Sequence, residues 1–202
     1  MIRRIHKIFF ICIFSFVTVA PVLAEEPIEV IRTTVDDIIA ILNDPEYADK
    51  SQRDEQRKQM KQEIKKIFDF TTMSKGTIRH HQWQSFSEEQ KNEFVDLFTQ
   101  LLGDTYLDKI QGEYEDEKVE YLEQDMLSDS KAVVKTKILR DSVEIPVDYR
   151  LIKRDGVWNV YNVYVERTSL VSNYRDQFAR ILLSGSPADL IERLREKVKE
   201  NE

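Results

Sequence analysis

The chain of 202 residues has one cysteine, three histidines, five glycines and five prolines. The cysteine, Cys12, lies in an apolar run near the N-terminus, so everything after it can form no disulfide and offers no thiol nucleophile or thiolate ligand. So few glycines and prolines leave little room for flexible or low-complexity segments, and there is no internal repeat. After His6 the only histidines are the adjacent His80 and His81. Neighbours on a helix point about 100° apart, so this pair cannot easily share one metal and reads as a solvated pair at a helix end. No G-x-S-x-G elbow, P-loop or G-x-G-x-x-G occurs. The acidic run Glu113 to Glu117 lacks the alternating ligands and turn glycine of a calcium loop and reads as a solvated charge run. Neither a metal nor a cofactor is expected.

What is present begins with a basic trio, Arg3, Arg4 and Lys7, followed by the apolar run Ile8 to Ala20 and the small-residue signature Val22-Leu23-Ala24. The run is shorter than the ~20 residues a bilayer span needs. Residues 1–24 are therefore expected to be a cleaved export signal, with an uncleaved inner-membrane anchor as the alternative. Cys12 lacks the small-residue context of a lipoprotein cleavage point. Loss of Arg3, Arg4 and Lys7 leaves 27 basic against 37 acidic residues, a net charge of −10 on a soluble, unlipidated domain at 25–202. That balance repels phosphate backbones, so no nucleic-acid partner is expected. Apolar content of 41%, a tenth of the chain being aromatic, suffices for one packed domain.

The hydrophobic period changes twice. Over 25–111 it is helical. Ile28, Ile31, Val35, Ile38, Ile39 and Leu42 mark a first helix, Gln52 to Phe68 a charged second, and Asp69 caps a short third around Met73 to His80. Ser87 and Gln90 form a capping box ahead of Phe94, Leu97, Phe98, Leu101, Leu102 and Tyr106, a helix reaching about Ile110. Over 113–167 the period is 2 and predicts four antiparallel strands, with a turn at Ser128-Asp129-Ser130, a hairpin turn at Asp155-Gly156, and Pro146 marking an edge or a bulge. Over 168–200 two helices follow, one capped by Thr168 or Ser169 and stopped by Gly185, the other opened by Ser186-Pro187. The expected fold is α+β: a four-stranded antiparallel meander with about six helices packed mainly on one side, enclosing an apolar cavity.

The strand Val157 to Val165 places Val157, Tyr161, Val163 and Val165 on one face and Trp158, Val160 and Tyr164 on the other, so both faces meet apolar surroundings, or one is aromatic surface. A two-residue turn at Asp155-Gly156 puts Trp158 and Val160 beside Tyr149 and Leu151; a three-residue loop with a bulge puts Tyr161 and Val163 there instead. One enzyme class fits such an arrangement, a small hydrophobic-pocket enzyme acting on a lipid or isoprenoid with a tuned Asp148 or Asp69. A third possibility is an interaction module with a filled core.

Residues 68–106, "FDFTTMSKGTIRHHQWQSFSEEQKNEFVDLFTQLLGDTY", and 147–178, "VDYRLIKRDGVWNVYNVYVERTSLVSNYRDQF", together resemble the MlaC-type periplasmic phospholipid-binding proteins, the toluene-tolerance auxiliary family. The likeness runs over nearly all of 25–202. Where that family usually has Asp after Trp-x-Val-Tyr this chain has Asn162, and where it usually has Glu-Gly-Val-Ser it has Glu166-Arg167-Thr168-Ser169. The resemblance implies a non-enzymatic carrier in the periplasm of a Gram-negative bacterium. Such a carrier shuttles phospholipid between an outer-membrane lipoprotein complex and the MCE-domain ring of an inner-membrane ABC transporter, maintaining outer-membrane lipid asymmetry. Its acyl chains sit between sheet and helices, and the lining is expected from Phe94, Phe98, Leu101, Val147, Tyr149, Trp158, Val160, Tyr161, Val171 and Tyr174. Burying about 30 methylenes gains roughly 24 kcal/mol against water, but a bilayer offers nearly as much, so the cavity of a carrier has to be almost wholly apolar. Arg175, one position round the helix from Tyr174, reads as a surface or ion-pair residue ahead of a phosphate ligand.

Overall fold

The computed structural model describes residues 25–200, and the expected export signal lies outside the described residues. Helix α1 (Pro27–Leu42) has proline in its first turn, α2 is Arg53–Ile67, and two short 3₁₀ turns at Pro45–Tyr47 and Lys50–Gln52 join them. The expected third helix divides into α3 (Phe70–Gly76) and α4 (His80–Trp83). Then comes α5 (Glu88–Glu113), 26 residues and about 39 Å long. Its start is the predicted capping box: Ser87 Oγ accepts from the Gln90 N–H at 3.1 Å, and Gln90 Oε1 accepts from the Ser87 N–H at 2.9 Å. Its end is held by Arg140, which donates to the Glu113 carbonyl at 2.7 Å and pairs with Glu117, so the acidic run is tied down there rather than merely solvated.

The sheet is antiparallel in the order β1 (Lys118–Ser128), β2 (Lys131–Arg140), β3 (Val143–Arg154), β4 (Val157–Val165), β5 (Thr168–Ser169). The fifth strand, two residues long, was not expected. It arises because Glu166 and Arg167 both hold positive φ, 48° and 68°, and turn the chain back so that Val165 pairs with Thr168 and Tyr164 with Ser169. With β5 and the division of the third helix, the described residues hold five strands and seven α-helices in place of four and about six. Helices α6 (Leu170–Ser184) and α7 (Pro187–Glu200) close the chain. Pro146 stands where β4 pairing ends, one residue past the Val147–Val165 pair.

Both candidate registers of β4 occur, in different halves. Asp155-Gly156 is a two-residue turn with φ of 50° and 84°, so Arg154 pairs with Val157, and Trp158 and Val160 share the face of Leu151. Between the Leu151–Val160 and Arg150–Asn162 pairs a bulge leaves Tyr161 unpaired, and past it Val163 lies opposite Tyr149. One extra residue exchanges the faces, which is why the strand is apolar on both sides of the sequence pattern.

The helices do not form a single layer. Helix α1 packs Val30 and Ile31 on a sheet face made by Ala132, Val134, Leu151, Trp158 and Val160. Helices α3 to α7 make a second core of their own, from Met73 and Phe86 through Phe94, Phe98 and Phe178 to Leu194 and Val198. Phe68 packs against both, and beside it the Asp69 N–H donates to the Val160 carbonyl at 2.8 Å.

The left-handed conformation of Arg167 costs about 1 kcal/mol that glycine would not incur. Arg167→Gly is expected to raise the melting midpoint by ~2–4 °C, read by calorimetry. An unchanged or lower midpoint would show that the arginine side chain itself holds the β4–β5 turn.

Candidate functional site

The centre of the helical core is a column of rings. Trp83 stacks on Phe86 at 5.5 Å between centroids, Phe86 meets Phe94 edge-on at 5.8 Å, and Phe94 lies parallel to Phe98 at 6.0 Å. Tyr174 and Phe178 of α6 then meet Phe98 edge-on at 5.0 and 5.7 Å. Helical spacing builds the column: Phe94 and Phe98 are four apart on α5, Tyr174 and Phe178 four apart on α6. Edge-to-face and offset pairs each add about 0.5–1.5 kcal/mol beyond burial. Phe94 and Phe98 are fully enclosed.

Each end of the column meets a cleft. At the Tyr174 end a cleft of about 550 Å³ lies among α5, α6 and α7, lined by Leu101, Tyr174, Phe178, Ile181, Leu190 and Leu194, with Arg193, Glu196 and Lys197 also in its wall. Tyr174 is amphipathic there. Its ring packs on Phe98 while its hydroxyl lies in a hydrogen-bonding group with Thr105 and Tyr106, and burial pushes its phenol up to about 12. At the Trp83 end a smaller cleft of about 350 Å³ is lined by Lys75, Gly76, Ile78, Arg79, His80, Trp83 and Arg175.

The ten residues expected to line one cavity thus fall in two places. Phe94, Phe98, Leu101, Val171 and Tyr174 come together in the helical core. Trp158, Val160 and Tyr149 belong to the sheet core, where burial pushes the Tyr149 phenol up to about 12. Val147 is buried on the same sheet face, and Tyr161 stands at the bulge outside both cores. Phe178, Ile181, Leu190 and Leu194 were legible only as stripes on the last two helices, and nothing in the sequence places α7 beside Leu101.

The bulge has a second effect. It directs Asn162, 8% exposed, to the start of α6, where its Oδ1 accepts from the Val171 N–H at 3.2 Å and its Nδ2 donates to Ser169 Oγ at 2.9 Å. Ser169 Oγ in turn accepts from the Ser172 N–H at 3.0 Å, as expected of the helix cap. Aspartate, the usual family residue, fits the same place: it would accept from Val171 and, after rotation of the hydroxyl, from Ser169.

The two aspartates considered as catalytic groups have structural surroundings. Asp69 Oδ1 caps α3 through the Thr72 N–H at 2.8 Å, and Oδ2 accepts from Thr72 Oγ1 at 2.6 Å and pairs with Arg154 at 2.5 Å. Asp148 pairs across the sheet with Lys135 and Tyr164, on the face opposite Tyr149. Among the described residues no group of three or more His, Cys, Asp or Glu could hold a metal ion, and no helix is long and apolar enough to cross a membrane.

An antiparallel meander carrying a separate aromatic helical body, with a cleft at each end of its column of rings, defines an α+β fold. The family model described as MlaC protein matches residues 32–196, and the chain belongs to that family. Among solved structures, a phospholipid-binding protein from Ralstonia solanacearum in complex with a phospholipid shares the fold. Its TM-score is 0.75 and its identity 24%, over 88% of this chain and 99% of that one. No curated protein matches the chain by sequence.

Asn162→Ala leaves the Val171 N–H and Ser169 without their buried partner, a loss of about 2 kcal/mol. The expected fall in melting midpoint is ~4–8 °C. Asn162→Asp should remain within ~2 °C of wild type at neutral pH, and an equal loss in both variants would remove Asn162 from its capping role.

Proposed function

We propose that this protein is a non-enzymatic phospholipid carrier of the periplasm, taking acyl chains into its helical core and moving lipid between an outer-membrane lipoprotein complex and the MCE-domain ring of an inner-membrane ABC transporter. The observation that carries the reading is the aromatic column of α5 and α6 opening on a cleft lined by Leu101, Phe178, Ile181, Leu190 and Leu194 within a charged rim, in a chain whose family match and fold both lead to phospholipid binders. The cleft has the size of an ordinary ligand pocket. Thirty methylenes at ~30 Å³ each, close to the volume of a water, need ~900 Å³, more than the 550 Å³ on offer. Loading two chains therefore separates α6 and α7 from α5, uncovering rings that are enclosed here. Gly185 and Ser186, between α6 and α7, are the natural place for that movement. No observation favours the enzyme reading: Asp69 is taken up by its cap and ion pair, and Asp148 faces away from the sheet core.

Ile181 is the residue for the test. It is half-buried in the cleft wall, whereas Val171 packs so closely on Gly76 that a change there disturbs folding as well. Residues 25–202 are expected to withdraw a fluorescent phospholipid from phosphatidylcholine vesicles. Ile181→Glu, with an unchanged circular dichroism spectrum, is expected to withdraw less than about a tenth as much, because a carboxylate in hydrocarbon opposes the chains. Equal withdrawal by the folded variant would take the acyl chains out of this cleft.

A further inference from the structure

The smaller cleft gathers three cations. Lys75, Arg79 and Arg175 take part in none of the ion pairs among the described residues, in a chain whose acidic residues outnumber its basic ones by 37 to 30. All three line the same cleft, which includes no carboxylate. In an acidic protein, three cations gathered without a counter-charge make a local positive potential that attracts an anion.

The cleft is also built rather than incidental. Arg175 is half-buried, and its Nε donates to the Gly76 carbonyl at 2.7 Å. That bond fixes the plane of the guanidinium and leaves both terminal nitrogens for a second acceptor, the fork geometry that suits a phosphate. The α3–α6 spacing behind it is tight: a Cβ on Gly76 would come within 2.9 Å of Val171 Cγ1. The floor is Ile78, 5% exposed, and Trp83, the first ring of the aromatic column. A group with a charged phosphate and an apolar body would therefore have its phosphate among the cations and its body directed at the column.

We propose that this cleft is a phosphate-recognition site that takes the phosphodiester of a phospholipid headgroup, with Arg175 as the fixed ligand and Lys75 and Arg79 as mobile ones. The proposal rests on the phospholipid reading and adds to it a polar subsite on the α3–α4–α6 side, away from the acyl cleft at α7. Recognition of the diester, common to all glycerophospholipids, makes the site indifferent to what the headgroup carries beyond it.

The test uses Lys75→Glu/Arg79→Glu, two exposed positions whose change leaves the cores intact, and Arg175→Gln as a separate variant. Withdrawal of a fluorescent phosphatidylglycerol from phosphatidylcholine vesicles is compared with withdrawal of a diacylglycerol bearing the same chains, and binding of inorganic phosphate is followed by calorimetry. The expected result is a loss of about tenfold or more for the phospholipid in the double variant, a smaller loss in Arg175→Gln, and no change for diacylglycerol. Unchanged phospholipid withdrawal in both variants would overturn the site while leaving the carrier reading intact. Inorganic phosphate binding that the substitutions abolish, with phospholipid withdrawal unaffected, would overturn the headgroup assignment in favour of a free-phosphate site. A wild-type protein that withdraws neither lipid would overturn the carrier reading, and this proposal with it.

Discussion

Strand β4 is the seam between the sheet core and the helical core. Its backbone holds Phe68 and Asp69 at Val160, and its bulge at Tyr161 turns Asn162 out of the sheet pattern to cap α6. Val160 closes the sheet core within two residues of that cap. An apolar strand, a helix start and the Tyr174-Arg175 pair adjoin because this seam has to serve three neighbours at once. The two-residue strand β5 and the left-handed Glu166-Arg167 turn are the backbone cost of making the seam so short.

Much of the fold was legible wherever one local rule decided it. The capping box at Ser87, the two-residue turn at Asp155-Gly156 and the proline opening of α7 each depend on contacts within a few residues. What escaped depends on a single residue or on distance. A bulge adds one residue to a strand already apolar on both sides, so alternation could not locate Tyr161. The ten residues expected to line one cavity divide for the same reason. Phe94, Phe98, Leu101, Val171 and Tyr174 share helical periodicity and a common core, while Trp158, Val160 and Tyr149 obey the sheet's period and are buried against α1. Arg175 read as a surface or ion-pair residue because sequence does not show that its partner is a backbone carbonyl 99 positions away.

The aromatic column is the centre of the helical body. Its rings are packed, and the two clefts at its ends differ in chemistry: apolar side chains with a rim of both charges at α7, and cations without a carboxylate at α3, α4 and α6. A phospholipid, the proposed ligand, has ends of both kinds. In the proposed loading, the cost of uncovering Phe94 and Phe98 would be offset by acyl chains of the same polarity, leaving the exchange close to balanced, as release of a load requires.

The most direct measurement of the central claim is the content of the protein as the cell makes it. Residues 25–202, isolated from the periplasm without detergent, extracted with organic solvent and assayed by mass spectrometry, should yield glycerophospholipid in near-stoichiometric amount. Protein that is folded, free of phospholipid and still free of it after incubation with vesicles would contradict the account.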